Sequence, residues 1–427
     1  MDMVVWLVTV GEPLPVNGRD VRLLRTGILA NELIRQGHLV VWWTSTFDHW
    51  AKQHHSDRDA SFRMGQLDLR MLRGCGYRRN ISFRRIVDHA LVARSFARQA
   101  ESHRAPDVIV CSLPTLELAV AAVHYGHRHQ VPVVIDVRDL WPDIFLEQVP
   151  RWIRPLAKLA MYPMLCQARR ACRGAFAITG NSPGFVEWGL RQAGRLAGPM
   201  DRHFPFGYAS ATLDENERGR ALSFWHGFNI VPNGGEFVAC FFGSMSHQFD
   251  LETVIDAAKL LQAEGRRVRF VLCGTGERLA ELKARAANTQ AVVFPGWIGR
   301  SEIKVLMDMS NVGLAPYVNH IGFARNLPNK PIEYLAGGLP ILSSLTGYLQ
   351  ELLEEFGCGD TYKEGDAQSL RDLVVRISDN PKLAIDMGRS ARTAFSSRFD
   401  AATVYSGMTR YLEEVVVAFN ASRDRNA

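Results

Sequence analysis

Short runs of apolar residues alternate with amphipathic segments along most of the chain. The strand-length runs of the first half are VVWLVTV, HLVVWWTS, DVIVCS and VPVVIDV. Those of the second half are FVACFFGS, RVRFVLCG, AVVFPG, NVGLAPY and LPILSS. Segments with apolar residues at helical spacing fill most of the gaps between them. Because such alternation is typical of parallel sheets with crossover helices, the pattern predicts an α/β protein.

The length of the chain indicates two domains. A chain of 427 residues is too long for a single hydrophobic core. Residues 194–236 are rich in Gly, Pro, Asn and charged residues, and they contain no convincing strand. We therefore place a first domain at 1–205, a linker at 206–236 and a second domain at 237–400.

The last stretch of the chain, about 401–427, predicts one more helix. Its apolar residues at helical spacing are Val404, Met408, Tyr411, Leu412, Val415 and Val416. An amphipathic helix must cover an apolar surface, and we expect this one to pack back on the first domain.

The composition is that of a soluble globular protein. Hydrophobic residues make up 47% and charged residues 22% of the chain, within the usual range for folded domains. The apolar runs are far shorter than the roughly 20 residues of a membrane-spanning helix. The N-terminus shows no secretory signal, so we expect a cytoplasmic location. The seven scattered cysteines are expected to be reduced packing residues.

The formal net charge is +6, and the positive charge is concentrated in two segments of the first half. Residues 63–104 hold ten arginines, and residues 151–173 hold six basic residues and no acidic one. Such segments attract nucleic acid, anionic lipid or a phosphorylated substrate, and a merely solvated surface remains an alternative. The second segment also carries apolar residues, which suits a helix resting on anionic lipid. Pro155 and Pro163 interrupt its period, so a core helix with a basic edge is the competing interpretation.

Residues 324–342, ARNLPNKPIEYLAGGLPIL, predict a short helix between two strands. Asn329 can act as its N-cap, and Pro331 lies in the first turn, where a missing N–H does no harm. Gly337 and Gly338 supply the stop. The segment therefore predicts a helix N-terminus directly beside a loop that follows a strand.

This helix N-terminus is a candidate anion site. Its open backbone N–H groups and partial positive charge, with Lys330 and Arg325 beside them, suit a diphosphate. Glu333, one turn further, would accept two hydroxyls of a ribose. The alternative is a capped helix whose charged side chains are merely solvated.

Two more loops that follow strands carry small residues, which let backbone amides approach an anion. These residues are Gly243 and Ser244 in one loop, and Gly274, Thr275, Gly276 and Glu277 in the other. Ligands in open α/β folds bind at the carboxyl edge of the sheet, where these loops are expected. A simple tight turn is the more frequent explanation of a lone Gly-x-Gly.

These motifs together resemble the retaining glycosyltransferases of family 4, and the resemblance covers nearly the whole chain. The segments that carry it in the second half are PNKPIEYLAGGLPIL, FFGSMSHQFDLETVIDAAKLL, VLCGTGERL and VVFPGW. Those in the first half are GEPLP, RLLRTGILANELIRQGHLVVWWTS, DVIVCSLPT and VPVVIDVRDLWPD. The first-half segments are similar to bacterial O-antigen, capsule and exopolysaccharide transferases, including N-acetylfucosaminyl-type enzymes. The resemblance implies the GT-B fold, two Rossmann-like parallel-sheet domains facing across a cleft.

The resemblance also implies roles in the donor domain. Glu333 would bind the donor ribose, and Lys330 with the nearby loop amides would hold the diphosphate. The residues from Gly274 to Glu277, with the turn around Gly296 and Trp297, would border the nucleoside.

In the first domain, the resemblance implies contacts with the sugar and the acceptor. They would come from the loop that contains Gly11, Glu12, Pro13 and Gly18, and from the pair Arg138 and Asp139. From the residues alone, Asp139 or Asp136 could orient or deprotonate an acceptor hydroxyl. A buried structural carboxylate tied to Arg138 is the alternative.

Three departures from the family pattern change the expected site. The family's two glutamates are separated by seven residues, and Arg325 stands where the first should be. The usual Arg and Lys after the first donor-domain strand are missing, because the chain reads GSMSHQF there. The family's first-domain histidine is Arg138 here. We therefore expect Arg325 and Lys330 to supply the missing charge.

The expected reaction needs a stabilised diphosphate leaving group, which Lys330, Arg325 and the helix amides can provide. Retention in this family is explained without an enzyme nucleophile, so no paired carboxylates are required. The Asp57-Arg58-Asp59 run lies in a polar basic stretch without a leading strand. We expect neither a metal site nor a cofactor.

The sequence thus predicts a transferase that moves a sugar from a nucleotide sugar, UDP-linked by expectation, to a glycan or polyprenyl-diphosphate-linked acceptor in bacterial surface polysaccharide synthesis. Attachment to the inner face of the cell membrane is a further expectation. One alternative is a nucleotide-sugar epimerase of the same fold. Another is a basic protein that binds nucleic acid or lipid, although no nucleic-acid-binding module is visible. A nicotinamide-dependent oxidoreductase is disfavoured, because no strand leads into Gly-x-Gly-x-x-Gly.

Overall fold

The computed structural model describes residues 2–16, 23–210, 212–232 and 234–425. The chain forms two compact units. The first comprises Met1–Pro205 and Val404–Ala427, and the second comprises Phe206–Thr403.

The first unit is built on a largely parallel sheet. Its strands are β1 (Val4–Val8), β2 (Leu39–Ser45), β3 (Phe47–Asp48), β4 (Gln53–His54), β5 (Ala60–Met64), β6 (Leu67–Leu72), β7 (Val108–Leu113), β8 (Val133–Val137), β9 (Ala177–Gly180) and β10 (Arg202–His203). Eight of them form one sheet in the order β10-β9-β8-β7-β1-β2-β6-β5. Only β5 runs antiparallel to its neighbour in this sheet, and β3 with β4 forms a separate hairpin.

Among the described residues before Pro205, seven helices accompany this sheet. They are α1 (Arg25–Arg35), α2 (Phe83–Ala100), α3 (Leu116–His129), α4 (Asp143–Gln148), α5 (Arg154–Ala160), α6 (Tyr162–Gly174) and α7 (Pro183–Ala193). Helices α2, α3, α6 and α7 pack side by side in that order. Trp6, Trp43 and Phe96 are completely buried between the sheet and these helices.

The second unit contains an entirely parallel sheet. Its strands are β11 (Phe237–Phe242), β12 (Val268–Cys273), β13 (Val292–Gly296), β14 (Val312–Ala315), β15 (Ile341–Ser343) and β16 (Gly359–Thr361). They lie in the order β13-β12-β11-β14-β15-β16. The helices are α8 (Glu215–His226), α9 (Leu251–Ala263), α10 (Leu279–Arg285), α11 (Arg300–Met309), α12 (Ile321–Ala324), α13 (Asn329–Gly337), α14 (Tyr348–Phe356), α15 (Ala367–Ser378) and α16 (Pro381–Arg398). The predicted α/β class with parallel sheets is confirmed.

The C-terminal helix, Ala401–Asp424, is buried along the stripe that its apolar period indicates. Its Tyr411 hydroxyl donates a hydrogen bond to the Met200 carbonyl over 2.8 Å. Phe419 packs edge-on against Phe176, with ring centroids 5.2 Å apart. The last helix of the chain therefore completes the core of the first unit.

The segment 206–236, which we expected to be a linker, belongs to the second unit. It contains α8, whose Trp225 is fully buried and donates from its indole nitrogen to the Glu302 carbonyl over 3.0 Å. The backbone of Tyr208 exchanges hydrogen bonds with Phe399 and Ala401. The linker prediction is wrong because a segment without a strand can still pack on the core through a helix, here α8.

The region between β2 and α2 contains strands β3 to β6, which the apolar pattern of the sequence does not predict. These strands are short or polar on one face, so their apolar signal is weak. Among the helices of the described residues, none has the length and apolar character needed to cross a membrane.

Candidate functional site

Three loops meet at the carboxyl edge of the second sheet, after the neighbouring strands β11, β12 and β13. The Gly243 amide donates to the Cys273 carbonyl over 2.9 Å, and the Gly274 amide donates to the Gly296 carbonyl over 2.7 Å. The loops are thus joined through their backbones. The sequence predicted this shared edge, and the structure brings these loop residues together.

Glycine is required in these loops by close backbone approach. Gly274 has a φ of 139°, and a Cβ there would overlap the Gly243 carbonyl oxygen. A Cβ at Gly276 would overlap the Met245 carbonyl oxygen in the same way. The Gly-x-Gly spacing therefore allows two loops to touch, and the side chains of Ser244, Thr275 and Glu277 remain exposed at the edge.

Helix α13 begins beside these loops, but its predicted cap was wrong. Pro328, with φ −63° and ψ 159°, is the last extended residue, and Asn329 is already the first helical one. Because Asn329 is inside the helix, its exposed side chain does not cap the helix. Pro331 lies in the first turn, as predicted, and Gly338 ends the helix with a φ of 70°.

Tyr334 fixes the position of α13 on the sheet. Its buried hydroxyl lies 3.1 Å from the Leu314 carbonyl and 3.3 Å from the Cys240 carbonyl. The ring occupies the space over Gly313, where a Cβ would overlap it. Lys330, one turn earlier, is thereby held at the carboxyl edge of the sheet.

Lys330 extends over the first of the three loops. Its Nζ lies 4.3 Å from the centroid of the Phe249 ring and 5.7 Å from that of Phe241. A Cβ at Gly243 would overlap the Lys330 side chain. Burial lowers the pKa of Lys330 to about 8, while the charge of Glu333 raises it. The result is a partly desolvated cation at a helix N-terminus, which suits a phosphate group.

The other predicted donor-site residues belong to the same unit as Lys330. Glu333 is 8% exposed and lies near enough to Tyr317 to raise that residue's pKa in addition to the larger effect of burial. Arg325 is half-buried in the turn between α12 and α13. Trp297, after β13, is 75% exposed, so its ring is available to a planar ligand.

One arginine near these loops was missed. Arg278 directly follows the Gly-rich run and is buried. Its Nη1 donates to Glu252 over 3.0 Å, and its Nη2 donates to Glu281 over 3.0 Å. Two carboxylates therefore compensate its charge, which favours a structural role for it.

In the first unit, the predicted sugar-facing residues form an internal network. Arg138 donates from Nε to Asp136 over 2.7 Å and pairs with Glu12 through Nη1. Arg25 donates from Nε to the same Asp136 over 2.9 Å, and Glu12 also accepts from the Thr26 hydroxyl over 2.7 Å. Arg138 and Glu12 are thus ion-pair partners of each other, and the sugar contacts that the resemblance implies for them stay a prediction.

Asp136 is fully buried in this network. Burial acts to raise its pKa, but the charges of Arg25 and Arg138 outweigh burial and hold the pKa well below its usual range. Its Oδ1 also accepts a hydrogen bond from the Thr179 hydroxyl over 2.9 Å. Asp136 therefore fits the structural alternative and not the role of an acceptor base.

Asp139 has a different setting. Burial raises its pKa, and a hydrogen bond from the Leu140 amide over 2.8 Å partly offsets this. Gly11 and Pro13 lie half-buried in the loop after β1. A Cβ at Gly11 would lie 3.8 Å from that of His49. Gly18 lies outside the described residues.

The basic segment 63–104 is partly used inside the first unit. Four of its arginines donate hydrogen bonds there: Arg70 to Asp68, Arg73 to the Ser56 carbonyl, Arg84 to the Gly76 carbonyl and Arg85 to the Asn80 carbonyl. In the described part of the chain, no group of three or more His, Cys, Asp or Glu residues is arranged to hold a metal ion.

Comparison with solved structures identifies the architecture. The chain superposes on Anabaena Alr3699/HepE in complex with UDP with a TM-score of 0.64, over 97% of this chain and 100% of that one, at 16% sequence identity. The fold is GT-B. Residues 227–394, which lie within the second unit, match the family model described as glycosyl transferases group 1.

Two curated relatives match part of the chain. The amylovoran biosynthesis glycosyltransferase AmsK of Erwinia amylovora is 27% identical over 169 residues, which is 39% of this chain and 42% of AmsK. The putative colanic acid biosynthesis glycosyltransferase WcaL of Salmonella typhimurium is 29% identical over 174 residues, 40% of this chain and 38% of WcaL. The chain thus spans less than half the length of these relatives in the match.

Proposed function

We propose that this protein is a glycosyltransferase that uses a nucleoside-diphosphate sugar as donor. The observation that carries the proposal is the position of Lys330 at the N-terminus of α13, over Gly243 and beside Glu333. A cation and open helix amides at one point can stabilise the charge that develops on a departing diphosphate. The match of residues 227–394 to the group 1 family supports this assignment.

UDP is the nucleotide that we propose. HepE, which shares the GT-B fold, was solved in complex with UDP. In this chain, Trp297 and the Thr275–Glu277 turn would border the base, and Glu333 would accept the ribose hydroxyls. The proposed transfer retains the anomeric configuration, as the resemblance to family 4 implies, and needs neither a metal nor another cofactor.

The proposed acceptor is a growing bacterial surface polysaccharide, or its polyprenyl-diphosphate-linked precursor. The names of AmsK and WcaL, which concern amylovoran and colanic acid biosynthesis, support the polysaccharide class. The N-acetylfucosaminyl-type donor stays one of the sugars to be tested.

Thermal stabilisation by UDP, GDP, ADP and dTDP, each with and without magnesium, tests the donor site. We expect one nucleotide to raise the Tm of the wild type without metal. Lys330→Ala and Glu333→Ala should lose this shift. Lys382→Ala, an exposed lysine in the first turn of α16, is the matched control and should keep it. The donor-site assignment fails if no nucleotide stabilises the wild type at millimolar concentration.

The reaction class is tested with the nucleotide sugar that binds. A transferase releases the nucleoside diphosphate and labels a polysaccharide or lipid-linked acceptor with the sugar. An epimerase of the same fold converts the nucleotide sugar without any acceptor, and this outcome would replace our proposal.

We further propose that the first unit docks on the inner face of the cell membrane. Helix α5 has no buried residue. The exposed large apolar side chains around it are Trp152, Leu156, Leu159 and Tyr162, with Trp152 82% exposed. Such a surface, flanked by Arg151, Arg154 and Lys158, suits insertion among anionic headgroups.

An arginine-rich groove lies in the same unit. It lies between α2 and α6, has a volume of about 930 Å³ and is floored by apolar residues of α3. The arginines that line it are Arg94, Arg169, Arg170 and Arg173. Phe83, Val87, Leu91 and Arg94 follow one another on a single face of α2, so apolar and basic positions share that face.

Cosedimentation with vesicles tests the docking surface. The wild type should bind vesicles that contain phosphatidylglycerol and should not bind pure phosphatidylcholine. Replacing Trp152, Leu156 and Leu159 by Ser should abolish binding, and Arg169→Gln with Arg173→Gln should weaken it. Leu196→Ser, an exposed leucine after α7, is the control. Equal binding by the triple variant would contradict the proposal.

A further inference from the structure

A second polar cluster lies at the carboxyl edge of the first sheet, apart from the Asp136 network. Its members come from separate segments. The β3–β4 turn supplies His49 and Lys52, the loop before α2 supplies Tyr77, and the first turn of α2 supplies Arg85. The loop after β8 supplies Trp141. Strands β2, β6 and β8 are parallel, so the segments that follow them meet at one edge.

The cations in this cluster lie against aromatic rings. The guanidinium carbon of Arg85 lies 4.3 Å from the Trp141 ring centroid and 5.4 Å from that of Tyr77. Lys52 Nζ lies 5.0 Å from the same Tyr77 centroid. The Tyr77 hydroxyl lies 2.7 Å from His49 Nδ1. Two cations therefore share one tyrosine, with a histidine beside it.

The carboxylates nearest to these two cations only partly offset the cost of burial. Burial lowers the pKa of Arg85, and the charges of Asp139 and Asp88 partly offset this. Among the described residues, neither Lys52 nor Arg85 forms an ion pair. The nearby acidic side chains bond to the backbone instead, Asp88 to the Gly76 amide over 2.7 Å and Asp139 to the Leu140 amide over 2.8 Å. This contrasts with Arg138 and Arg278, whose charges are fully compensated.

The charges of the cluster influence the pKa values of Lys52 and His49. Burial and then Arg85 lower the pKa of Lys52, while Asp48 raises it. Burial, Lys52 and Arg85 lower the pKa of His49 to about 4. Two positive charges close together in a partly buried position destabilise the folded protein. A bound anion would reduce this destabilisation.

The backbone adds to this cost at Lys52. Its φ is 56°, in the left-handed region that a residue other than glycine adopts only with strain. This conformation directs the Lys52 side chain to Tyr77 and to the Asn80 amide oxygen, 2.5 Å from Nζ. Strained backbone of this kind is often found at functional sites.

Some N–H donors of the Arg85 guanidinium have no acceptor within the described part of the chain. Its Nη1 donates to the Asn80 carbonyl over 3.0 Å, and its Nε lies 3.4 Å from His89 Nε2. In the described part of the chain, Nη2 has no hydrogen-bond acceptor, and it is not sealed from solvent. A guanidinium fixed between two rings with free N–H groups is suited to two oxygens of one phosphate.

We propose that Lys52, Arg85, His49 and Tyr77 form a binding site for the diphosphate group of the sugar acceptor. The inference rests on the proposed function, because it names the acceptor of that reaction. The shared chemistry is that of a phosphate anion, which an acceptor diphosphate or a lipid headgroup can supply. The partly buried position beside the Trp141 loop favours the acceptor.

Inorganic diphosphate is the probe, and it is used on the full chain in the Lys330→Ala background, so that the donor site does not bind it. We expect diphosphate to stabilise this variant and to bind it in calorimetry. Adding Lys52→Ala or Arg85→Gln should weaken binding at least about tenfold. Arg98→Gln, an exposed arginine on the same helix, is the matched control and should change nothing. Because Lys52 is on a surface turn, its variant remains informative if Arg85→Gln does not fold.

Histidine NMR gives an independent readout. A bound anion offsets the charges of Lys52 and Arg85, so the pKa of His49 should rise from about 4 when diphosphate is added. In transfer assays with a diphosphate-linked acceptor, Lys52→Ala should raise the KM for the acceptor and leave the KM for the donor unchanged.

Two results would overturn the inference. One is that Lys330→Ala alone abolishes diphosphate binding. The other is that Lys52 and Arg85 are needed only for binding to anionic vesicles, which would assign the cluster to the bilayer. Nucleotide stabilisation of Lys52→Ala separates these failures from a failure of the proposed function, because it reports on the donor site alone.

Discussion

Lys330 is the residue on which the proposed donor site depends, and its surroundings destabilise its charged form. Burial lowers its pKa to about 8, although aromatic rings and Glu333 favour the cation. A lysine whose pKa is lower in the folded state than in the unfolded one destabilises the protein fully below the folded pKa. This cost disappears as the pH rises from about 8 to 10.5.

Lys330→Met should therefore stabilise the protein at pH 7. We expect the free energy of unfolding to rise by about 1–2 kcal/mol, because an apolar side chain of similar length replaces a desolvated charge. Urea denaturation at several pH values measures this gain, which should shrink between pH 8 and 10.5. A loss of stability would mean that the aromatic contacts outweigh the cost of burial.

The pH dependence of nucleotide binding should follow the ionisation of Lys330. At pH 7 Lys330 is mostly protonated, and deprotonation above about pH 8 removes the charge that would bind the diphosphate. Affinity for the selected nucleoside diphosphate should therefore fall between pH 7 and 9.5 in calorimetry. In Lys330→Ala this fall should be absent, and a parallel fall in both proteins would assign it to another group.

Asp136 illustrates a buried charge with a structural role. It is the common acceptor for Arg25 and Arg138, so Asp136→Asn leaves two buried cations with reduced compensation. We expect a loss of about 3–5 kcal/mol in the free energy of unfolding. Asp308→Asn, at the exposed pair with Arg218, should stay within about 1 kcal/mol. Comparable losses in the two variants would contradict the structural role.

Among the elements, the turns at the ends of β12 and β13 depend on glycine for two separable reasons. Gly274→Ala meets both a positive φ and the carbonyl of Gly243, whereas Gly296→Ala meets a positive φ of 86° and no atom within 4 Å. The second variant should lose about 1–2 kcal/mol, and the first should lose more and also lose nucleotide binding. Denaturation and calorimetry on both variants check this, and equal losses would show that strain alone explains the glycines.

Helix α13 shows how one element joins sequence and site. Its apolar face and its Gly338 stop follow from the sequence, whereas its start was predicted at the wrong residue. Pro328 is extended and occupies the cap position. Asn329, whose side chain would suit a cap, is one position further on and already helical. Such a one-residue shift leaves Lys330 in the first turn, which is why the site prediction did not depend on the cap.

At the scale of the whole molecule, the last helix stabilises the unit that begins the chain. Leu412 is fully buried, and Tyr411 on the same helix bonds to Met200. Leu412→Ala should cost about 2–5 kcal/mol and accelerate hydrogen exchange in β9 and the Met200 region. Exchange in β15, which is much nearer in sequence, should change little. Faster exchange confined to β15 and its neighbours would contradict this assignment.

The sequence by itself determined the α/β class, most strands of both sheets and the buried stripe of the last helix. These features depend on local periodicity. It can be read from the sequence without knowing which surface packs against each element. Periodicity also determined that α13 starts beside a loop, because strand, loop and helix are consecutive in the chain.

Only the tertiary structure decided which charges are free and which are compensated. Arg138 meets Glu12 across 126 residues, and Lys330 meets Gly243 across the sheet. The cluster of Lys52 and Arg85 is likewise assembled from segments that share no pattern in the sequence. An arginine or a lysine looks the same in the sequence whether its side chain faces a carboxylate, an aromatic ring or a ligand. Its role is therefore set by distances between remote segments, which periodicity does not contain.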